Sequence, residues 1–313
     1  AFSKEGLVKS LSRGGSLSKS KSKGLYKSLS KGMQRYSDNG ESDAANSAID
    51  EEGELQKRRM QASETARTYK APALIQIPVG VRYSIDLLAI FHNGMRNEMT
   101  NVFHMLALME RCGQKLTHEH IQSFGSYFEV VWDYIADYFE VEERVLFLEL
   151  EEKRLVPNPE LFEAPRRLSK LNIVLSGNEL RRKIRWCFPE LTPTEAFDLL
   201  RTEIISATTL LTDYLLLTEK LIPGYIDSVL DSDEIIEIEK RMMNALQFFA
   251  KRKWANMHIP IRWQTNSDAY QQIASRHFSG IRMFEFKKFQ KEYELQHESI
   301  LKEMHRFVQS TTL

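Results

Sequence analysis

Tyr83-Ser84-Ile85-Asp86-Leu87-Leu88-Ala89-Ile90-Phe91-His92-Asn93-Gly94-Met95-Arg96-Asn97-Glu98-Met99 opens a long helical pattern. Ile85, Leu88, His92, Met95, Met99, Val102 and Leu106 step by three and four residues, which puts them on one helix face. Gly113 ends this element. Thr117 opens a second helix, with Ile121, Phe124, Phe128, Val131, Ile135, Tyr138, Glu142, Val145 and Leu148 on its stripe. Pro157 and Pro159 break the chain, and Pro165 begins a third helix running to Trp186. Thr192-Pro193-Thr194-Glu195 is a capping box with proline at the first helical position, so a fourth helix starts there. Pro223-Gly224 is expected to stop it after Ile222. Asp231 and Glu234 cap a fifth helix reaching Trp254, and an amphipathic stretch covers 267–308. No segment has strand periodicity. The pattern predicts an all-α chain: an antiparallel four-helix bundle over 80–225, with a helical extension, 226–313, packed on its outside or end.

Composition agrees with a soluble helical body. The chain has 313 residues, with 43 Lys+Arg against 43 Asp+Glu, which excludes a generally basic nucleic-acid binder. No apolar run approaches the roughly 18 residues a membrane-spanning helix needs. Two cysteines, Cys112 and Cys187, are too few for a disulfide framework or a cysteine-built zinc site, and they point to a reducing, cytoplasmic setting.

The charge balance conceals a split. Residues 1–36 are Lys/Arg-rich, and residues 37–55 hold acids and no base. The basic block is repetitive: Lys9-Ser10-Leu11-Ser12-Arg13-Gly14 returns as Lys27-Ser28-Leu29-Ser30-Lys31-Gly32. Such a segment buries too little apolar surface to offset the entropy of ordering it, so 1–70 reads as a disordered tail. Ser12, Ser16 and Ser30 each follow a basic residue by three and are candidate phosphorylation sites, where added phosphate would erase the positive charge. The tail's remaining uses are a solvated spacer or weak contact with an anionic surface. Its Ser-rich, acid-poor start also has some organelle-transit character.

The informative positions in the body are those that interrupt apolar stripes. His92 interrupts the first, Tyr138 and Glu142 the second, and on the fourth helix Tyr214 lies on the stripe with Glu219 beside it. A carboxylate on a buried face costs several kcal/mol unless it is paired, protonated or bound to a cation. The segment Asp137-Tyr138-Phe139-Glu140-Val141-Glu142-Glu143-Arg144-Val145-Leu146 is echoed by Asp213-Tyr214-Leu215-Leu216-Leu217-Thr218-Glu219-Lys220-Leu221-Ile222, as a bundle with approximate two-fold symmetry would have.

At these residues the body resembles the hemerythrin-like (HHE cation-binding) family, four-helix bundles that hold non-haem iron. Ile90-Phe91-His92-Asn93-Gly94-Met95-Arg96-Asn97-Glu98 is similar to the setting of the family's first-helix histidine. Tyr138-Phe139-Glu140-Val141-Glu142-Glu143 is similar to its His-Phe-x-x-Glu-Glu segment, with Glu142 on the metal-binding carboxylate and Tyr138 on the histidine. Tyr214 and Glu219 keep the spacing of its fourth-helix histidine and acid, again with tyrosine for histidine. The third helix departs from the family, because its two histidines four residues apart are missing. The resemblance therefore implies a depleted ligand set: His92, Glu142 and Glu219, with Tyr138 and Tyr214 as additions. Such a set admits iron or another divalent metal, with phenolate a ligand for ferric iron. The competing expectation is structural: His92 as a hydrogen-bonded core residue, and tyrosine hydroxyls filling the metal cavity against the carboxylates.

Other motifs are weaker. Glu294-x-x-His297 has di-iron spacing on a helix that reads as surface, and His118-Glu119-His120 reads as a solvated helix cap. There is no phosphate-binding glycine loop or nucleophile elbow. The C-terminal stretch carries Ile273, Phe278, Ile281, Phe284, Phe289, Tyr293, Ile300, Met304 and Phe307, enough apolar surface to pack on the bundle or to dock a partner protein or second copy. The expectation is a degenerate hemerythrin-like bundle acting as a non-catalytic interaction or regulatory module. Its alternative is a non-haem iron protein for oxygen or iron sensing or storage.

Overall fold

The computed structural model describes residues 72–80, 82–153, 163–264 and 267–311, all within one compact unit, Arg58–Leu313. Ser12, Ser16, Ser30 and the rest of the tail lie outside the described residues. Among the described residues every regular element is helical, and there is no strand. No described helix is long and apolar enough to cross a membrane.

Helix α1 is Tyr83–Cys112, closed by Gly113 at φ 52°. Helix α2, His118–Val141, starts at Thr117, whose backbone N–H donates to Nδ1 of His120, so that histidine is part of the cap. It continues through a wide π turn, Glu142–Phe147, into a short segment, Leu148–Glu152. Helix α3 is Glu163–Arg182, followed by a second π turn, Lys183–Cys187. Helix α4, Pro193–Asp227, has the expected capping box between Thr192 and Glu195. Helix α5 is Ser232–Phe249, capped by Asp231 with Glu234. Then come α6, Lys253–Arg262, α7, Ser267–His277, and α8, Ile281–Tyr293. A third π turn, Glu294–Glu298, joins α8 to α9, Ser299–Thr311.

The elements differ from the sequence expectation at three places. Pro223 does not stop α4, which runs on to Asp227. A proline removes one N–H from the ladder, and Ile222, Pro223 and Ile226 are all buried, so packing holds the helix past it. Trp254 starts a helix rather than ending one, since the chain turns at Ala250 and Arg252 and every residue from 254 to 261 is buried. The C-terminal stretch is also broken, at Gly280 with φ 57°, which re-aims α8 so that Phe286 is buried and Phe284 is 74% exposed.

These departures share a cause. Helix α1 has no solvent face along its middle, because residues 87–96 are buried without interruption. It packs on α2 and α4, and also on α5, α6 and α9. The helices after 226 therefore wrap α1, and its five helical neighbours make a single stripe an incomplete description of its burial. Gly94 shows how close the approach is. A Cβ there would sit 2.5 Å from the Ile259 carbonyl oxygen, so only glycine lets α1 and α6 cross at this separation. Helix α3 in turn packs on α4 and α2.

Candidate functional site

Four helices each send polar side chains into one interior cluster. His92 comes from α1, Tyr138 and Glu142 from α2, Arg166 and Lys170 from α3, and Tyr214 and Glu219 from α4. All five residues expected from the sequence meet here. His92, Tyr138, Glu142 and Tyr214 are fully or almost fully buried. Glu219 is partly buried at the edge.

The links form a continuous chain. Glu219 Oε2 accepts from the Arg96 guanidinium at 2.7 Å, and its Oε1 lies 2.6 Å from His92 Nδ1. His92 Nε2 lies 2.9 Å from the Tyr138 hydroxyl, which donates to Glu142 Oε1 at 3.0 Å. The other Glu142 oxygen accepts from the Tyr214 hydroxyl at 2.5 Å and from the Lys170 ammonium at 2.5 Å. Lys170 also bonds Glu143 at 2.6 Å, and Arg166 pairs with the same Glu143 oxygen. Arg166 lies over the Phe147 ring at 3.5 Å, and Lys170 is ringed by Phe139, Phe147 and Tyr214. Aromatic faces that attract cations fix both ammonium and guanidinium in place.

The electrostatics are closed. Burial alone would raise Glu142, but the charges of Lys170 and His92 and the hydrogen bonds from Lys170 and Tyr214 outweigh it and hold the carboxyl below its usual range. Glu219 is likewise lowered, against burial, by its contacts with His92 and Arg96. Burial and then the Glu142 charge push the Tyr138 and Tyr214 phenols well above their ordinary value, so both remain protonated donors. Three carboxylates, Glu142, Glu143 and Glu219, face three cations, Lys170, Arg166 and Arg96.

This donor set does not fit a metal ion. Both nitrogens of His92 and both oxygens of Glu142 are already engaged, and an ammonium stands against Glu142 where a cation would coordinate. Among the described residues no group of three His, Cys, Asp or Glu side chains is placed to hold a metal ion. The tyrosines serve as neutral donors to a carboxylate, not as phenolate ligands. The cluster can pin four helices together and hold fixed charges, and it presents no activated nucleophile.

Comparison with known proteins adds no relative. No family model, curated protein or solved structure matches this chain.

Sequence reasoning missed two groups. The first is Arg166 and Lys170, whose sequence signal is two cations four residues apart on one helix face. The second is a separate buried carboxylate, Glu98 on α1. It accepts from Tyr127 on α2 at 2.6 Å and from Tyr293 on α8 at 2.8 Å, and lies 2.9 Å from His297 Nε2 in the third π turn. His297 was read as a surface residue but is fully buried, stacked on Tyr127. Glu294, its supposed partner, instead accepts from Gln290. Glu98 lies off the α1 stripe, so the periodicity of that helix does not mark it.

Proposed function

We propose that this chain is a hemerythrin-like helical bundle whose metal position is filled by its own side chains, and that it acts as a non-catalytic interaction or regulatory module. The observation that carries this reading is Lys170 Nζ at 2.5 Å from Glu142 Oε2. Arg166 and Lys170 are four residues apart on the third helix, the spacing of the two histidines in the resembled family, which supports this reading. The pairing of α1 with α2 and α4, and of α3 with α2 and α4, supports an antiparallel four-helix bundle over 83–227. In this reading the function falls to the protein's surfaces and to the charged tail.

Elemental analysis of protein purified without a metal-affinity tag tests this. The expected content of iron, zinc and manganese is far below one per chain. A near-stoichiometric metal that disappears in both His92→Ala and Glu142→Ala would overturn the proposal. It would favour the second reading, non-haem metal binding for oxygen or iron sensing or storage. That reading rests on the convergence of His92, Glu142 and Glu219 and requires Lys170 to withdraw.

A further inference from the structure

His104 on α1 and His305 on α9 are 201 residues apart in sequence and meet with their Nε2 atoms 2.7 Å apart. Their ring centroids are 4.6 Å apart. His104 is exposed and His305 half-buried, so solvent reaches the pair, and neither takes part in the two buried clusters. As an isolated protein contact, this is one proton shared between two imidazoles.

The same placement suits a different occupant. Two imidazole nitrogens bound to one metal at about 2.0–2.1 Å stand about 2.9 Å apart at a right angle and about 3.4 Å apart in a tetrahedron. The observed separation is within a few tenths of an ångström of the right-angled case, a shift that partly exposed side chains absorb by small rotations. We propose that His104 and His305 form a two-histidine clip for a tetragonal divalent transition metal, Cu2+ or Ni2+ ahead of Zn2+, with water completing the coordination.

A metal takes each imidazole through a ring nitrogen that carries no proton. The Arg111 guanidinium stands near enough to act on His104. The ring whose Nε2–H donates in the metal-free pair moves that proton to Nδ1, so coordination through both Nε2 atoms releases no net proton. Arg111 also repels a cation, and only two ligands come from the protein, so the site is weaker than a closed structural centre. Because α1 and α9 are remote in sequence, metal bound here ties the C-terminal helix to the central one and stabilises the folded state by mass action.

The test titrates untagged full-length chain with CuCl2, NiCl2 and ZnCl2 at neutral pH, read by calorimetry and by thermal unfolding. The expected result is about one bound ion, affinity falling from copper to nickel to zinc, and a raised Tm. His104→Ala and His305→Ala should each weaken binding at least tenfold and remove the Tm rise, the size of effect expected for loss of a metal-site group. His118→Ala, at the start of α2, should change neither. Electron paramagnetic resonance of the copper form should report two equatorial nitrogens. Binding that survives both α1 and α9 substitutions, a one-nitrogen spectrum, or no saturable binding below about 1 mM would each overturn the clip. Because His104 and His305 lie outside the interior cluster, the outcome is independent of the proposed function.

Discussion

Two buried carboxylates in this molecule are solved in nearly the same way. Glu142 and Glu98 are both fully buried, and each accepts from two tyrosine hydroxyls and faces one basic side chain. Each cluster also touches a π turn, which begins at Glu142 in one case and carries His297 in the other. Widened turns of this kind displace a side chain from the regular helical ladder and gather at sites with special demands. The difference lies in the base. Glu142 faces Lys170, which also binds Glu143. Glu98 faces His297, which comes from the far end of the chain. The Glu142 cluster therefore locks α1 to α4 together, whereas the Glu98 cluster fastens the C-terminal helices onto that assembly.

The comparison breaks most visibly at the cations. Lys170→Met should destabilise by about 3–5 kcal/mol, because it leaves Glu142 charged, buried and short of its main counter-charge. Lys170→Met with Glu142→Leu should recover part of that loss, since replacing both partners removes the unpaired charge. Urea unfolding of the single and double variants measures both. A single-variant cost under about 1 kcal/mol would show that Glu142 does not depend on Lys170. His297→Leu should cost less, about 2–4 kcal/mol, as His297 pairs with Glu98 alone whereas Lys170 serves both Glu142 and Glu143. Its loss should also be local, with hydrogen exchange rising in α8 and α9 before α3.

Acid should separate the clusters further. Glu98, Glu142 and Glu219 are all held below the ordinary carboxylate range, so their stabilisation is present above about pH 4.5 and is lost as pH falls through the folded values. His258, close to Tyr293, is different, as burial pushes it down to about 4. Between about pH 6.5 and 4 the unfolded chain binds a proton that the folded chain refuses, so stability falls with acidification in that window. The ceiling is about 3 kcal/mol, and incomplete burial brings the expected loss nearer 2. Asp137 acts with the opposite sign. Burial first of all raises it to about 6, so it gains stability as pH drops through that value. Asp137→Asn should therefore steepen the acid loss, and His258→Phe in the same background should flatten it. Equal slopes in the two variants would remove His258 from the account.

What was legible in the sequence follows the same division. Glu142 and Tyr138 announced themselves because α2 has one apolar stripe that they interrupt. The capping boxes at Thr192 and Asp231 were legible because capping is local chemistry between residues three apart. Glu98 and His297 were hidden for a physical reason: α1 packs against α2, α4, α5, α6 and α9, so one apolar stripe does not describe which of its residues are buried. Gly94 was quoted yet unread, since its role depends on Ile259, 165 residues away in sequence. Pairings across such distances leave no periodic trace.

The finest distinction between the clusters lies in what each tyrosine does. Tyr293 only donates, to Glu98 Oε1. Tyr138 donates to Glu142 Oε1 and also faces His92 Nε2, so it is a relay between the ring and the carboxylate. Donor counting shows the consequence. If His92 carries protons on both nitrogens, then Glu219, Tyr138 and Glu142 each receive one hydrogen. If it carries one on Nδ1, Tyr138 must choose between His92 and Glu142; if on Nε2, Nδ1 and the Glu219 oxygen face each other with no proton between them. Phenylalanine at 293 removes one hydrogen bond and should cost about 1 kcal/mol, whereas phenylalanine at 138 also strands a fully buried ring nitrogen and should cost about 2. Unfolding measurements on Tyr293→Phe and Tyr138→Phe decide the order. Equal costs would mean that His92 and Tyr138 are neighbours without a shared proton, and that the interior chain from Glu219 to Lys170 is two separate pairs rather than one connected network.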